Sequence, residues 1–191
     1  MKKNLVCFIS VVLLASLLMV GCKNTAKANT VTNTGNVDSS NISYYFSNEG
    51  EKPDKQLINL INSSTKTLDV AIYSLTKKDI VEAIISAEKR NVAVRLMSDK
   101  TEAATKSQQE ELQLIKNSGI PIKINSHSGL LHDKFTVVDG SIIATGSFNY
   151  SQSANSVNDE NLIIIKDSNI AQGYDKNFND MWNDKSRFTD Y

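Results

Sequence analysis

What this 191-residue sequence lacks narrows the reading before any motif is considered. Its two cysteines, Cys7 and Cys22, stand near the N-terminus and none follows, so the body of the chain holds neither a disulfide framework nor a thiolate metal site. Histidine is equally scarce, with His127 and His132 alone. A metal site assembled from His127, His132 and Asp133 has no third well-spaced ligand, so neither a metal nor a cofactor is expected. Formal net charge is +0, and loss of Lys2 and Lys3 with the leader would leave 19 basic against 21 acidic side chains. Any anion must therefore be bound by local placement rather than by a net field. The one long apolar run, Leu5–Val20, falls short of the roughly 20 residues that a membrane-spanning helix needs. What remains is ordinary in composition, 40% hydrophobic and 22% charged, enough for one α/β domain with a real core.

The N-terminus reads as an address. Lys2 and Lys3 precede the apolar run and Gly21-Cys22 follows it, the layout of a secretory signal. The stretch MVGC resembles a bacterial lipobox, with Met19 where leucine is usual, and makes Cys22 the lipidated first residue of the mature chain. The alternative is an uncleaved anchor, and both place the body outside the cytoplasm, tethered to a membrane. Three segments follow: a signal peptide at 1–21, a polar tether at 22–40 (KNTAKANTVTNTGNVDSS after the cysteine), and a folded domain at 41–191.

Within the domain, SYYFS predicts a short strand, and Pro53-Asp54 opens a helix over roughly 53–63 with Leu57, Ile58, Leu60 and Ile61 at helical spacing. TLDVAIYSL from Thr67 reads as a buried strand, Thr76 as a helix N-cap, and Ile80, Ala83, Ile84 and Ala87 as the apolar stripe of the helix it starts. With the strand NVAVRLMSD this makes a βαβ unit, hence parallel pairing. A mostly exposed helix over Glu102–Asn117, a strand in Ile120–Asn125, a polar connection NYSQSANSVNDE, a buried strand in ENLIIIK and a helix from Ser168 complete the pattern. Arg187–Tyr191 reads as a loosely docked tail.

The stretch His132–Asn149, HDKFTVVDGSIIATGSFN, is the centre of the chain. Asp139-Gly140 between two apolar runs signals a β-hairpin. His132 and Lys134 lie two apart at the start of one strand, and Ser147 and Asn149 two apart beyond the other, so one rim gathers all four. The turn explains Asp139 without chemistry, and Gly146 reads as backbone geometry. A phosphodiester suits the set. Lys134 supplies a point charge, Ser147 and Asn149 neutral donors, and His132 a nucleophile that splits one displacement into two. The leaving oxygen also needs a proton carrier. His127, in the loop SHSGL, has nothing to orient it.

His132, Lys134, Asp139, Gly146, Ser147 and Asn149 fit H-x-K-x4-D-x6-G-S-x-N without a gap, the signature of the phospholipase D superfamily. YSLT, KKDIVEAIISAEKRNV, NSGIPI, GSFNYS and NDEN resemble, in order, its small single-motif bacterial endonucleases over roughly Ile42–Trp182. The resemblance implies a mixed sheet flanked by helices on both faces, a metal-free phosphohistidine reaction and a homodimer in which the second proton carrier is His132 of another copy. It also implies that Glu160 hydrogen-bonds the His132 imidazole. Nucleic acid is the substrate this favours. The membrane tether keeps a phospholipase or phosphatidyl transferase open, and a non-catalytic surface module that binds nucleic acid is the third reading.

Overall fold

A computed structural model describes residues 38–191; the leader and all but the end of the expected tether lie outside the described residues, and Cys22 with them. The tether ends earlier than its composition suggested, because Ser39–Asn41 already form a 3-10 turn in which the Asp38 carboxylate accepts from the Ser40 N–H at 3.0 Å.

The chain then runs β1 (Ile42–Phe46), α1 (Pro53–Asn62), β2 (Thr67–Ile72), α2 (Lys78–Lys89), β3 (Ala93–Ser98), α3 (Lys100–Ala103), α4 (Lys106–Asn117) and β4 (Ile122–Asn125). The hairpin β5 (Lys134–Val138) and β6 (Ile142–Gly146) follows, then α5 (Gln152–Ser156), β7 (Asn161–Ile165), α6 (Ser168–Asn183) and β8 (Phe188–Asp190). Proline at the first turn starts α1, where its missing N–H has no intrahelical use. The stripe expected on α2 is buried, but Thr76 is not its cap. Lys77 holds that place, and the N–H groups of Thr76 and Lys77 both reach the Tyr150 carbonyl at 2.9 Å.

Other expectations change in detail. Glu102–Asn117 is two helices, because the buried Asp99 carboxylate caps a short α3 through the N–H groups of Thr101 and Glu102, and the chain restarts at Lys106. α4 buries Gln108 and Glu111 as well as Leu112 and Ile115. The connection after Asn149 contains α5, capped by Ser151 Oγ accepting from the Ala154 N–H. β7 alternates rather than being buried throughout, with Leu162 and Ile164 inward. The tail is no loose end: β8 pairs antiparallel with β4 and buries Phe188.

All eight strands among the described residues form one mixed sheet in the order β1-β7-β6-β5-β2-β3-β4-β8. β2, β3 and β4 are mutually parallel and the remaining pairs antiparallel. On one face Leu57, Ile61, Ile84, Leu112 and their neighbours from α1, α2 and α4 cover Leu68, Val70 and Leu96; on the other, Ala171 and Phe178 of α6 cover Phe135, Val137 and Ile143. Each fully buried aliphatic side chain contributes about 1.5–3 kcal/mol, so the double-faced sheet is a rigid platform. Its register pairs Ile72 with Lys134, Phe135 with Thr145 and Gly146 with Leu162. The ends of β2 and β6 and the starts of β5 and β7 therefore share one rim.

Candidate active site

Two backbone contacts deliver His132 to that rim. The N–H of Leu131 donates to Asp99 Oδ2 at 2.8 Å, and the N–H of Tyr73, just past β2, donates to the Asp133 carbonyl at 3.0 Å. His132 itself is exposed, while Lys134 is only 9% exposed. Lys134 Nζ donates to the His132 carbonyl at 2.8 Å and lies 3.4 Å from His132 Nδ1. Burial pulls the Lys134 ammonium below its ordinary range, partly opposed by the carboxylates of Glu160 and Asp133. A desolvated cation of this kind attracts an incoming anion more strongly than a solvated lysine would.

The other wall begins at Gly146. Its φ of +145° and its contact with β7 both demand glycine, since a Cβ there would lie 2.3 Å from the Asn161 carbonyl. That carbonyl also accepts the N–H groups of Ser147 and Phe148, each at 3.1 Å. Phe148 is buried and anchors the turn, and Asn149 follows with its Oδ1 buried and without a hydrogen-bond partner among the described residues. Behind them Tyr150, 1% exposed, pairs its hydroxyl with Thr136 Oγ1 at 2.7 Å, and burial pushes its phenol up. Tyr150 also takes the Thr76 and Lys77 amides and donates its own to the Ser74 carbonyl, tying this turn to the β2–α2 loop. The motif spacing stops short of Tyr150, whose signal in the sequence is its place in the stretch GSFNYS.

Two expected roles meet different partners. The Ser147 hydroxyl donates to Glu160 Oε2 at 2.5 Å and accepts from the Asn161 backbone N–H at 3.1 Å and side-chain amide at 3.3 Å, so its single proton is already committed. Glu160 was expected on the His132 imidazole. Its two oxygens are instead taken by Ser147 and by Asn158 Nδ2 at 3.1 Å, and no hydrogen bond joins it to His132 among the described residues. Its backbone is held by Ser47 through Oγ at 2.9 Å and through the Ser47 N–H at 3.0 Å. Asp159 is exposed.

A cleft of about 430 Å³ is lined by His132, Lys134, Gly146, Ser147, Asn149 and Glu160. Asp139 stands at the far end of the hairpin, where it is structural. Both it and Gly140 take positive φ, and its carboxylate accepts the N–H groups of Thr65, Lys66 and Thr67 and the Thr65 hydroxyl. His127 does not line the cleft. Contrary to its expected lack of restraint, its Nδ1 accepts from the Gly129 N–H at 3.1 Å and its ring meets Phe188 edge-on at 5.7 Å. Among the described residues no group of three or more histidine, cysteine or acidic side chains is placed to hold a metal. A larger hollow of about 510 Å³ on the α4 flank, lined by Gln109, Glu110, Gln113 and Leu114, offers neither a nucleophile nor a cation.

Residues 57–182, well over half of the chain, match the family model described as "Cardiolipin synthase, PLD-like domain". The chain belongs to the phospholipase D-like family. Its solved members include Nuc from Salmonella typhimurium, titled a phospholipase D family member, with a TM-score of 0.73, 29% identity, and cover of 78% of this chain and 97% of that one. NucT from Helicobacter pylori shares the fold at a TM-score of 0.68 and 24% identity, covering 74% of this chain and 94% of that one. By sequence the chain is 33% identical to a phospholipase D of Rickettsia conorii over 125 residues, 65% of this chain and 61% of that protein. It is 27% identical to a mitochondrial cardiolipin hydrolase of Chlamydomonas reinhardtii over 127 residues, 66% and 56%. The chain thus spans less than two thirds of these curated relatives. That family is one of phospholipase D-like hydrolases, and the mixed sheet with its helices is its fold.

Proposed function

We propose that this phosphodiesterase cuts nucleic acid through a phosphohistidine on His132, without a metal, at a site shared by two copies of the chain. The observation that carries the reading is the cleft itself, in which an exposed imidazole stands beside a desolvated ammonium, with Asn149 lining the same cleft and its Oδ1 buried. A ring nitrogen of His132 attacks phosphorus and the bond to the leaving oxygen breaks, while Lys134 and Asn149 hold the nonbridging oxygens. His132 of the second copy gives the leaving oxygen its proton, then takes one from water, which attacks phosphorus and releases His132. Glu160, hydrogen-bonded to Ser147, positions that hydroxyl and balances the charge of Lys134.

Nucleic acid is favoured by the motif's resemblance to the single-motif endonucleases, and by a chain that accounts for nearly the whole of the Nuc fold. The names of the curated relatives support a second reading, hydrolysis or transfer of phospholipid head groups. A surface module that binds nucleic acid without cutting it is the third. In each reading Cys22 carries the lipid that anchors the body to the outer face of a membrane. The test is cleavage of DNA, RNA and phospholipid in excess chelator, with His132→Asn as control. Chelator-insensitive nuclease activity lost in the variant supports the proposal, and activity abolished by chelation overturns the metal-free step. Head-group release with nucleic acid untouched establishes the lipid reading. Equal DNA binding by both proteins with no cleavage leaves the binding module.

A further inference from the structure

Tyr73, just past β2, does not line the cleft but stands against two residues that do. Its ring centroid is 4.7 Å from that of His132 at an interplanar angle of 55°, and Lys134 Nζ lies 5.2 Å from the same centroid. The residue is fixed at both ends of its backbone, its N–H on the Asp133 carbonyl and its own carbonyl accepting from Gln108 Nε2 at 3.3 Å. Gln108 is fully buried and also takes the Leu75 N–H at 2.7 Å while donating to Ser98 Oγ at 2.8 Å, so the loop bearing Tyr73 hangs from the core rather than from solvent.

We propose that Tyr73 is a positioning residue for the reaction, its aromatic face holding the His132 imidazole and the Lys134 ammonium in register with each other. This rests on His132 being the group phosphorylated. An exposed histidine side chain otherwise samples several rotamers, and a nucleophile displaced by an ångström loses most of its rate. The negative face of the ring attracts the ammonium that burial disfavours, and tilted contact suits the imidazole. The hydroxyl is not the working part. Burial and then the carboxylates of Glu102 and Asp99 push the Tyr73 phenol up, so it stays protonated and is no base.

The groups facing Lys134 are His132 and Asp133 on its own segment, Glu160 just before β7 and the Tyr73 ring just past β2. Leucine at 73 keeps the apolar bulk, and with it the desolvation, but removes the cation-attracting face, so Lys134 would lose its proton at lower pH. The test uses bis(4-nitrophenyl) phosphate, a phosphodiester with neither base nor lipid, and the full chain. Tyr73→Phe should stay within about twofold of wild type, while Tyr73→Leu should lose about 10- to 100-fold in kcat with KM within about threefold, and its alkaline limb should move about half a pH unit lower. A purely structural loss would reduce folded enzyme without moving that limb. Thermal melts check folding, and Tyr73→Met repeats the test if the leucine variant melts early. A folded Tyr73→Leu or Tyr73→Met enzyme with wild-type kcat and pH limb overturns the inference, as does a Tyr73→Phe enzyme as impaired as Tyr73→Leu. Should His132→Asn hydrolyse this ester like wild type, or wild type not at all, the phosphohistidine reading falls first and takes this one with it. A dead His132→Asn beside a wild-type Tyr73→Leu sinks the Tyr73 inference alone.

Discussion

Asp139 bears the letter for which such motifs are named, yet its work is far from the cleft. Burial alone would push its carboxyl up, but hydrogen bonds from the N–H groups of Thr67, Lys66 and Thr65 and the Thr65 hydroxyl hold it below its ordinary value. A group whose folded pKa is depressed stabilises the fold above its unfolded value and loses that contribution as pH falls through the folded one. Asp139→Asn keeps a residue that tolerates positive φ and removes the charge, so it should cost about 1–2 kcal/mol, or about 2–8 °C of melting temperature at pH 7. The deficit should shrink at pH 3, below the ordinary value of 3.8. Melting curves of both proteins at the two pH values check this, and an equal deficit at both would contradict it. The spacing Asp139-Gly140 made the turn legible, but the clasp on residues 65–67 was not, because it crosses more than seventy residues of chain. Ser147 and Glu160 were hidden in the same way: their residue types were readable, but which proton each gives or takes depends on β6 and β7 lying side by side.

Elements with a repeating apolar signal were readable one by one. β2, α2 and β3 carry it in their own residues, and the parallel pairing that follows from their order is present. The short pieces α3, α5 and β8 carry too few residues for a period. Two of them are set by a cap, Asp99 or Ser151, and the third by what it joins, since Phe188 becomes core only when β4 is beside it. Gly146 belongs to this scale, for it is where β6 must pass within contact of the β7 backbone before the chain turns into the cleft. Gly146→Ala would force its Cβ onto the Asn161 carbonyl at 2.3 Å and hold a φ of +145° that alanine resists. Relief requires moving β6 from β7, at a cost of about 2–4 kcal/mol, and misplaces Ser147 and Asn149 together. The expected outcome is a lower denaturation midpoint with kcat down at least about tenfold even where the protein remains folded. Wild-type activity in this variant would mean that the close approach is dispensable.

At the scale of the whole molecule the decisive quantity is the number of imidazoles. Two tasks, attack on phosphorus and proton transfer, face one cleft histidine, since His127 packs against Phe188 and does not line the cleft. A single chain could route one task through solvent, whereas two chains meeting about a twofold axis would bring a second His132 to the same phosphorus, each site needing both. The two arrangements differ in how an inactive chain affects an active one. Wild type is mixed with an equal amount of His132→Asn, and the pair is unfolded and refolded together so that subunits randomise. At constant total protein, shared sites leave about a quarter of the activity, because only dimers with two intact chains work, while independent sites leave about half. Sedimentation of the same samples fixes the fraction of dimer, so that a value near half from a fully dimeric sample would show each cleft to be complete on its own. A value near a quarter would place the missing acid on the second copy, where neither the hairpin nor the chain that carries it can supply one alone.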